Sequence, residues 1–401
     1  MELNIAYSTI KSNDDIRKTI SKIRQVIDFP YKNKYIKLSK EELFNNLKKY
    51  EGNISQVKKY DIINIDKFKS NLIDSKFKND YYQFINDDEK NYETINILSD
   101  YFSEKCRVKC KRYDMQKSPY DNFKNDGYLF NLIRDLVNKH QDINWINLRE
   151  SIYKRGECAN FKLTLALSVY RYFNAKRILD SSSGYSDRLI AAIAYADHLD
   201  YYHGFDPSEC MKDYYQKTID ILANDKSKFN VESIPFENAK LKKTYNLIFT
   251  SPPFFALEVY NNDATQSINQ YSDKIEWFCH MLIRWLIIAW RKLEINGYMV
   301  INIEDTIKTF GEYKRMDLYV EAMILFVSGY FKSAKYLGVI GHTNVGKSVV
   351  RPLWVWQKID KGQLLEDDIK LYKQSKHKFR KHFKKYYKEE YICVETQYLS
   401  K

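Results

Sequence analysis

Residues 245–257 read YNLIFTSPPFFAL, and the rest of the chain is organised around them. Leu247, Ile248 and Phe249 form a short apolar run of the kind carried by a strand buried on both faces. Pro252 and Pro253 then stop the run, because neither ring nitrogen can donate to a ladder. The chain is left extended and rigid where a parallel strand would end, which is where open α/β sheets place their ligands. A Ser-Pro-Pro-Phe turn at such a place offers a hydroxyl, carbonyls free of a neighbouring amide, and an aromatic face. Those groups suit a planar base with an exocyclic amino group, which can be hydrogen-bonded and stacked. The plain alternative is a diproline turn that ends a strand beside a core phenylalanine.

Outward from this stretch, strands and helices alternate. Apolar residues recur at helical spacing over 161–173, a short strand follows at 177–180 (RILD), 181–187 (SSSGYSD) is a turn, and 188–196 is a helix. A second strand over 201–205 ends at Asp206-Pro207, and Ser208 is a cap for a further helix. A third strand is expected at 233–236, then the quoted strand, a helix over about 273–293, and a fifth strand at 298–303. A helix around 317–328 precedes two last strands, 334–340 and 353–358, whose short glycine-bearing link predicts an antiparallel hairpin. A strand, a turn, a helix and a strand ending in an acid make a nucleotide-type half fold. The expected fold is α/β, a mostly parallel Rossmann-like sheet with an antiparallel terminal hairpin.

Residues 1–155 read differently. They are polar, lysine-rich and patchily helical, with a serine cap signal at Ser39 and no strand alternation, which predicts a helical accessory or recognition region. Residues 156–360 form the expected catalytic domain, and 361–401 a basic tail.

The 401 residues include 44% hydrophobic side chains with only 12 Gly and 7 Pro, enough for a packed core and no sign of low complexity. A formal charge of +13 favours polyanionic partners, although a coding bias toward lysine inflates it. Cysteines at 106, 110, 158, 210, 279 and 393 lack both paired zinc-site spacing and the density of a disulfide scaffold, so reduced thiols in the cytoplasm are expected. The N-terminus lacks the apolar core of a signal peptide, and the most apolar run, 281–290, is too short to span a bilayer and contains Arg284. A soluble, cytoplasmic protein is expected.

Several groups carry candidate chemistry. Asp180, Ser182, Gly184 and Ser186 lie in the first strand-to-helix turn, where small residues let backbone amides approach a ligand at a helix N-terminus. Asp206 ends the second strand, where an acid can accept both hydroxyls of a ribose; a lone loop acid is the plain alternative. Glu304 and Asp305 close the fifth strand and are either substrate-orienting or simply solvated. Lys109, Lys111 and Arg112, in the run 105–124, and Lys154 and Arg155 beside Tyr153 set phosphate-neutralising charge among stacking rings; the alternative is a solvated basic face. Residues 341–348, GHTNVGKS, satisfy the phosphate-loop pattern, but a β-branched, aromatic run with Pro352 follows where that loop needs a helix. The motif is expected to be a hairpin link, with Lys347 in reach of a nucleic-acid phosphate.

On these residues the sequence resembles the amino-group DNA methyltransferases, which methylate the exocyclic nitrogen of adenine or cytosine. Ser251-Pro252-Pro253-Phe254 resembles their motif IV, and its serine form looks more like the cytosine-N4 enzymes than the adenine-N6 ones. The resemblance implies a class I methyltransferase fold, S-adenosylmethionine as cofactor, and duplex DNA as partner with the target base flipped out. It implies catalytic roles for Ser251, Pro252, Pro253 and Phe254, with no metal. It also implies that Asp180, Ser182, Gly184 and Ser186 cradle the cofactor, Ser186 standing where another glycine is common. Asp206 would hold the ribose, Asn238 the adenine, where aspartate is commoner, and Phe161 and Thr164 the methionine moiety. Two other readings remain open: a methyltransferase-like module that no longer catalyses and binds nucleic acid or a partner, and a methyltransferase acting on RNA or protein. Marking of a microbial or viral genome is compatible with the main reading.

Overall fold

A run as apolar as Leu247-Ile248-Phe249 is stable only where both faces of its strand are covered. In the computed structural model, Leu247 and Phe249 enter one core and Ile248 the other, all fully buried. The structure describes residues 3–32, 38–52, 54–58, 81–85, 95–112, 117–153, 158–255, 257–260, 262–310, 313–317, 319–343 and 350–361.

The region before residue 155 contributes β1 (Asn4–Ile5), β2 (Ile54–Lys58), β3 (Tyr81–Ile85), β4 (Lys111–Arg112) and β5 (Ile143–Asn144). Then come β6 (Arg177–Asp180), β7 (Tyr201–Phe205), β8 (Phe229–Glu232), β9 (Tyr245–Thr250) and β10 (Glu258–Val259). The last are β11 (Leu293–Asn302), β12 (Thr306–Phe310), β13 (Tyr313–Asp317), β14 (Ala334–Thr343) and β15 (Val350–Lys358).

Nine strands form one sheet in the order β2-β3-β14-β15-β11-β9-β6-β7-β8. The strands from β8 to β11 are mutually parallel, and β15 runs antiparallel between β11 and β14. From β8 to β14, the strand order with its one reversed strand is that of the class I methyltransferase fold. Winding reverses between β6 and β9, so the loops leaving these two neighbours diverge and open a crevice between them.

One sheet face is covered by helices Leu163–Tyr172, Asp187–Ala194 and Lys212–Leu222. The other is covered by the continuous helical stretch from Lys274 to Lys292, π-helical over Trp277–Ile283, and by Val320–Tyr330. Trp277, Trp285, Trp290, Trp354 and Trp356 are all buried in that second core.

Four expectations need correction. The third strand is Phe229–Glu232, not 233–236; it is the sheet edge, so its polar FNVE alternates, whereas the apolar SIPF turns away at Pro235. Ser208 caps nothing: the helix begins at Lys212, and the Ser208 amide donates to Asp206 instead. The N-terminal region is not purely helical, because β2 and β3 extend the central sheet through a parallel pairing of β3 with β14. Ser39 does cap the helix Lys40–Lys49, in a reciprocal pair with Glu42.

The fourth correction concerns the thiols. Cys106 pairs with Cys210 and Cys110 with Cys158 in disulfides, across 104 and 48 residues of chain. Cys106 and Cys110 share one end of the helix Asp100–Arg107, and the fold brings each a partner from beside the cleft; residue spacing alone carries no trace of this. Cys279 is buried as a thiol, and Cys393 lies outside the described residues. No helix among the described residues is long and apolar enough to cross a membrane.

The hairpin of β14 and β15 forms as expected, with Gly341, His342 and Thr343 already in strand and paired to Pro352, Arg351 and Val350. The phosphate-loop pattern therefore leads into a strand rather than a helix. Lys347 lies outside the described residues.

Candidate active site

A cleft of about 280 Å³ opens over the C-terminal ends of β6, β7 and β9. Ser251, Pro252, Pro253 and Phe254 line it from one side, and Ser182, Gly184 and Asp206 from another. The two sides are tied together where their strands adjoin: the Ser181 hydroxyl donates to Thr250 Oγ1 at 3.1 Å. Beyond the turn, Phe255 has φ of 45°, a left-handed conformation costly for an aromatic residue. It is held there by burial against Trp277, ring centroids 5.6 Å apart.

The strand-to-helix loop is shaped from beneath. Asp180 is fully buried, accepting from Arg188 Nε at 2.9 Å and from the Tyr202 hydroxyl at 2.7 Å. Arg188 also donates to the Ser182 carbonyl, so it pins both ends of the turn. Asp180 thus acts on the loop and does not line the cleft. Gly184 has φ of 56°, and its amide donates to Asp206 Oδ2 at 2.8 Å. Ser186 adopts φ of 70°, a left-handed conformation that glycine reaches without strain; it is fully buried, lies outside the cleft lining, and its hydroxyl has no hydrogen-bond partner among the described residues.

Asp206 lines the cleft with both carboxylate oxygens hydrogen-bonded. The Ser208 amide donates to its Oδ1 at 3.0 Å and the Gly184 amide to Oδ2, while burial pushes its pKa up to about 6. Asn238 does not reach the cleft: it is exposed on the short turn Phe236–Asn238. Glu237 lines the cleft instead, hydrogen-bonded by the Tyr271 hydroxyl at 3.3 Å, with its pKa raised by burial. Phe161 lines the cleft beneath the Arg188 guanidinium, 5.0 Å from the ring centre. Thr164 is buried on its helix and hydrogen-bonded to Asn96, away from the cleft.

No protein-family model and no curated protein sequence matches the chain. Among solved structures, an rRNA methylase from Streptococcus thermophilus aligns with 51% of this chain and 99% of its own, at 11% identity and a TM-score of 0.34. TrmN from Thermus thermophilus aligns over 50% of this chain and 49% of its own, at 16% identity and a TM-score of 0.34. The N-methyltransferase NodS from Bradyrhizobium japonicum, in complex with S-adenosyl-L-homocysteine, aligns over 49% of this chain and 86% of its own, at 10% identity and a TM-score of 0.31. The fold assignment rests on the strand order itself.

Two residues that sequence reasoning passed over face the cleft beside Phe161. Asp187 accepts from the Phe161 amide at 3.2 Å through Oδ2, and burial pushes its pKa up to about 7. A side-chain hydrogen bond with Ser99 opposes that shift, and Asn160 Oδ1 is buried without a hydrogen-bond partner among the described residues. The signal was present in the sequence, an acid at the first position of the helix after the loop, but helix N-termini favour such acids for their own sake. Asp305 proves structural, because its Oδ1 accepts from the Tyr319 and Val320 amides at 2.7 and 3.0 Å and so caps the Val320–Tyr330 helix. The Glu304 carboxylate lies 3.9 Å from Arg351 Nε, and its carbonyl accepts from the Tyr319 hydroxyl at 2.9 Å.

The basic candidates divide. Lys109 lines the cleft, and Lys111 and Arg112 form β4, which pairs with β10 directly after the Ser-Pro-Pro-Phe turn. Arg351, from β15, lines the cleft as well. Lys154 and Arg155 lie outside the described residues.

Proposed function

We propose that this chain is an S-adenosylmethionine-dependent methyltransferase that modifies an exocyclic amino group in DNA, cytosine N4 in preference to adenine N6. The observation that carries this reading is that the Ser251-Pro252-Pro253-Phe254 turn and Asp206 open onto one cleft at the point where the sheet reverses its winding. The donor set suits the cofactor. Each Asp206 oxygen accepts one amide and keeps a lone pair for a ribose hydroxyl. The buried acceptors of Asp187 and Asn160, beside Phe161 in the cleft lining, suit the ammonium of a methionine moiety.

S-adenosylmethionine, when bound, supplies a methyl group already activated by its sulfonium charge. The chain's own residues have to bind and orient. Ser251 Oγ and the Pro252 carbonyl accept the hydrogens of the amino group, which keeps the nitrogen lone pair directed along the line of transfer. Phe254 stacks on the base, which leaves the duplex to reach the cleft. Lys109 and Arg351 at the cleft, with Lys111 and Arg112 on β4, offer positive charge to the flanking phosphates. Serine at position 251 favours cytosine, through the family resemblance.

The Ser251→Ala variant is expected to lose about 100-fold in turnover while calorimetry gives an unchanged affinity for S-adenosylhomocysteine. An unchanged rate overturns the mechanism. The silent-module reading draws on Ser186 in a glycine position and on exposed Asn238. It requires DNA binding that falls steeply with salt and no heat on titration with S-adenosylhomocysteine.

A further inference from the structure

Ser251 is the near end of a buried polar chain that the reaction, as described so far, does not use. Its hydroxyl lies 3.2 Å from Asn302 Oδ1, and Asn302, on β11, is 6% exposed. Asn302 Nδ2 lies 3.3 Å from the Pro352 carbonyl and 3.1 Å from Nε2 of His342, which is also 6% exposed. His342 and Pro352 come from the two strands of the terminal hairpin.

The Pro352 carbonyl decides the direction of every bond in the chain. A carbonyl can only accept, so the Asn302 atom facing it is the amide nitrogen and the atom facing Ser251 is the oxygen. That oxygen carries no hydrogen, so the Ser251 hydroxyl must donate to it. The second hydrogen of Nδ2 points at His342 Nε2, which is therefore the unprotonated nitrogen, and the ring proton sits on Nδ1. Burial and the charge of Arg351 push the His342 pKa down to about 3, so the ring stays neutral. Its Nδ1 has no hydrogen-bond partner among the described residues.

We infer that Asn302 and His342 are positioning residues that commit the only hydrogen of Ser251 inward, leaving Ser251 Oγ as a pure acceptor toward an amino group in the cleft. A serine free to rotate would spend part of its time donating to the amine nitrogen, occupying the lone pair that has to attack. The chain removes that competing state. This rests on the methyl-transfer reading above, and it gives the terminal hairpin a part in the chemistry.

Two measurements test it. In unliganded wild-type protein, nitrogen-15 spectra of the His342 ring are expected to show a neutral Nδ1–H tautomer from pH 5 to pH 8; a charged ring or an Nε2–H tautomer overturns the inference. In the second, a double-mutant cycle, Asn302→Leu is expected to lower kcat about 100-fold with KM for S-adenosylmethionine unchanged, but to change the residual rate of Ser251→Ala less than about threefold. Equal losses in the two backgrounds refute the relay while leaving the methyltransferase reading in place. His342→Gln, whose amide oxygen can still accept from Asn302, is expected to keep a rate within about tenfold of wild type, and His342→Leu to behave like Asn302→Leu. Loss of activity in both His342 variants alike overturns the proposal. Wild-type protein that methylates no nucleic acid overturns the function, and the inference with it.

Discussion

Asp206 offers the sharpest handle on the cleft. Replacing it with asparagine keeps its size and removes its charge. In the wild type each carboxylate oxygen accepts one backbone amide, at 2.8 and 3.0 Å, and has capacity for one ribose hydroxyl. Hydrogen bonds to a charged acceptor contribute about 1.5 kcal/mol or more each. Losing that strength at two hydroxyls costs about 3 kcal/mol, or about 150-fold in affinity for S-adenosylhomocysteine. The pH dependence follows from the raised pKa. Because the folded value of about 6 lies above the ordinary aspartate value, the neutral acid is favoured by the fold; the associated stability is present below about pH 4 and is lost as pH rises through 6. Cofactor binding runs the other way, since the hydroxyls need the ionised form. Affinity is therefore flat above pH 7 and falls by up to tenfold per unit below 6. The assay is calorimetry with S-adenosylhomocysteine between pH 5 and 8.5, on wild type and Asp206→Asn. A loss below threefold in the variant, or a wild-type profile without an inflection near 6, refutes the placement of the ribose at Asp206.

Other expectations follow from the same contacts. Ser186→Gly relieves a left-handed backbone and removes a buried hydroxyl that has no partner among the described residues, so the variant is expected to be about 1 kcal/mol more stable in urea unfolding; a destabilised variant contradicts the strain reasoning. Alkylation of native protein without reductant is expected to leave Cys106, Cys110, Cys158 and Cys210 unmodified, and dithiothreitol to lower Tm, since each link closes a long loop and contributes about 2–4 kcal/mol. Modification of all four without reductant refutes the pairing.

The hairpin and every parallel strand but the third were legible because their signals are local. RILD and NLIF are short apolar runs bounded by punctuation, and a glycine-bearing link between two β-branched runs leaves few alternatives to a hairpin. The Ser-Pro-Pro-Phe turn and Asp206 were legible for the same reason, each ending a recognisable strand. What escaped was set by long-range contacts. β3 joins β14 across more than half the chain, and the disulfide partners of Cys106 and Cys110 are neighbours only after folding. Asp180 ends a legible strand but sits beneath the loop, because Arg188 and Tyr202 both donate to its Oδ2 inside the core and the Ser182 amide donates to its Oδ1. The family resemblance pointed to Asn238 for the adenine, whereas the short turn at Phe236 directs Glu237 into the cleft and Asn238 to solvent. The buried chain from Ser251 to His342 joins three strands and has no sequence signature at all.

The proposed activity is methylation of an amino group in DNA at the cleft that the Ser-Pro-Pro-Phe turn shares with Gly184 and Asp206. Purified protein incubated with labelled S-adenosylmethionine and unmethylated duplex DNA, followed by nucleoside mass spectrometry, tests it directly. Labelled N4-methylcytosine is expected, with N6-methyladenine as the lesser outcome. Unlabelled DNA from a protein that binds it but gives no heat with S-adenosylhomocysteine contradicts the account and assigns the chain to the silent binding modules.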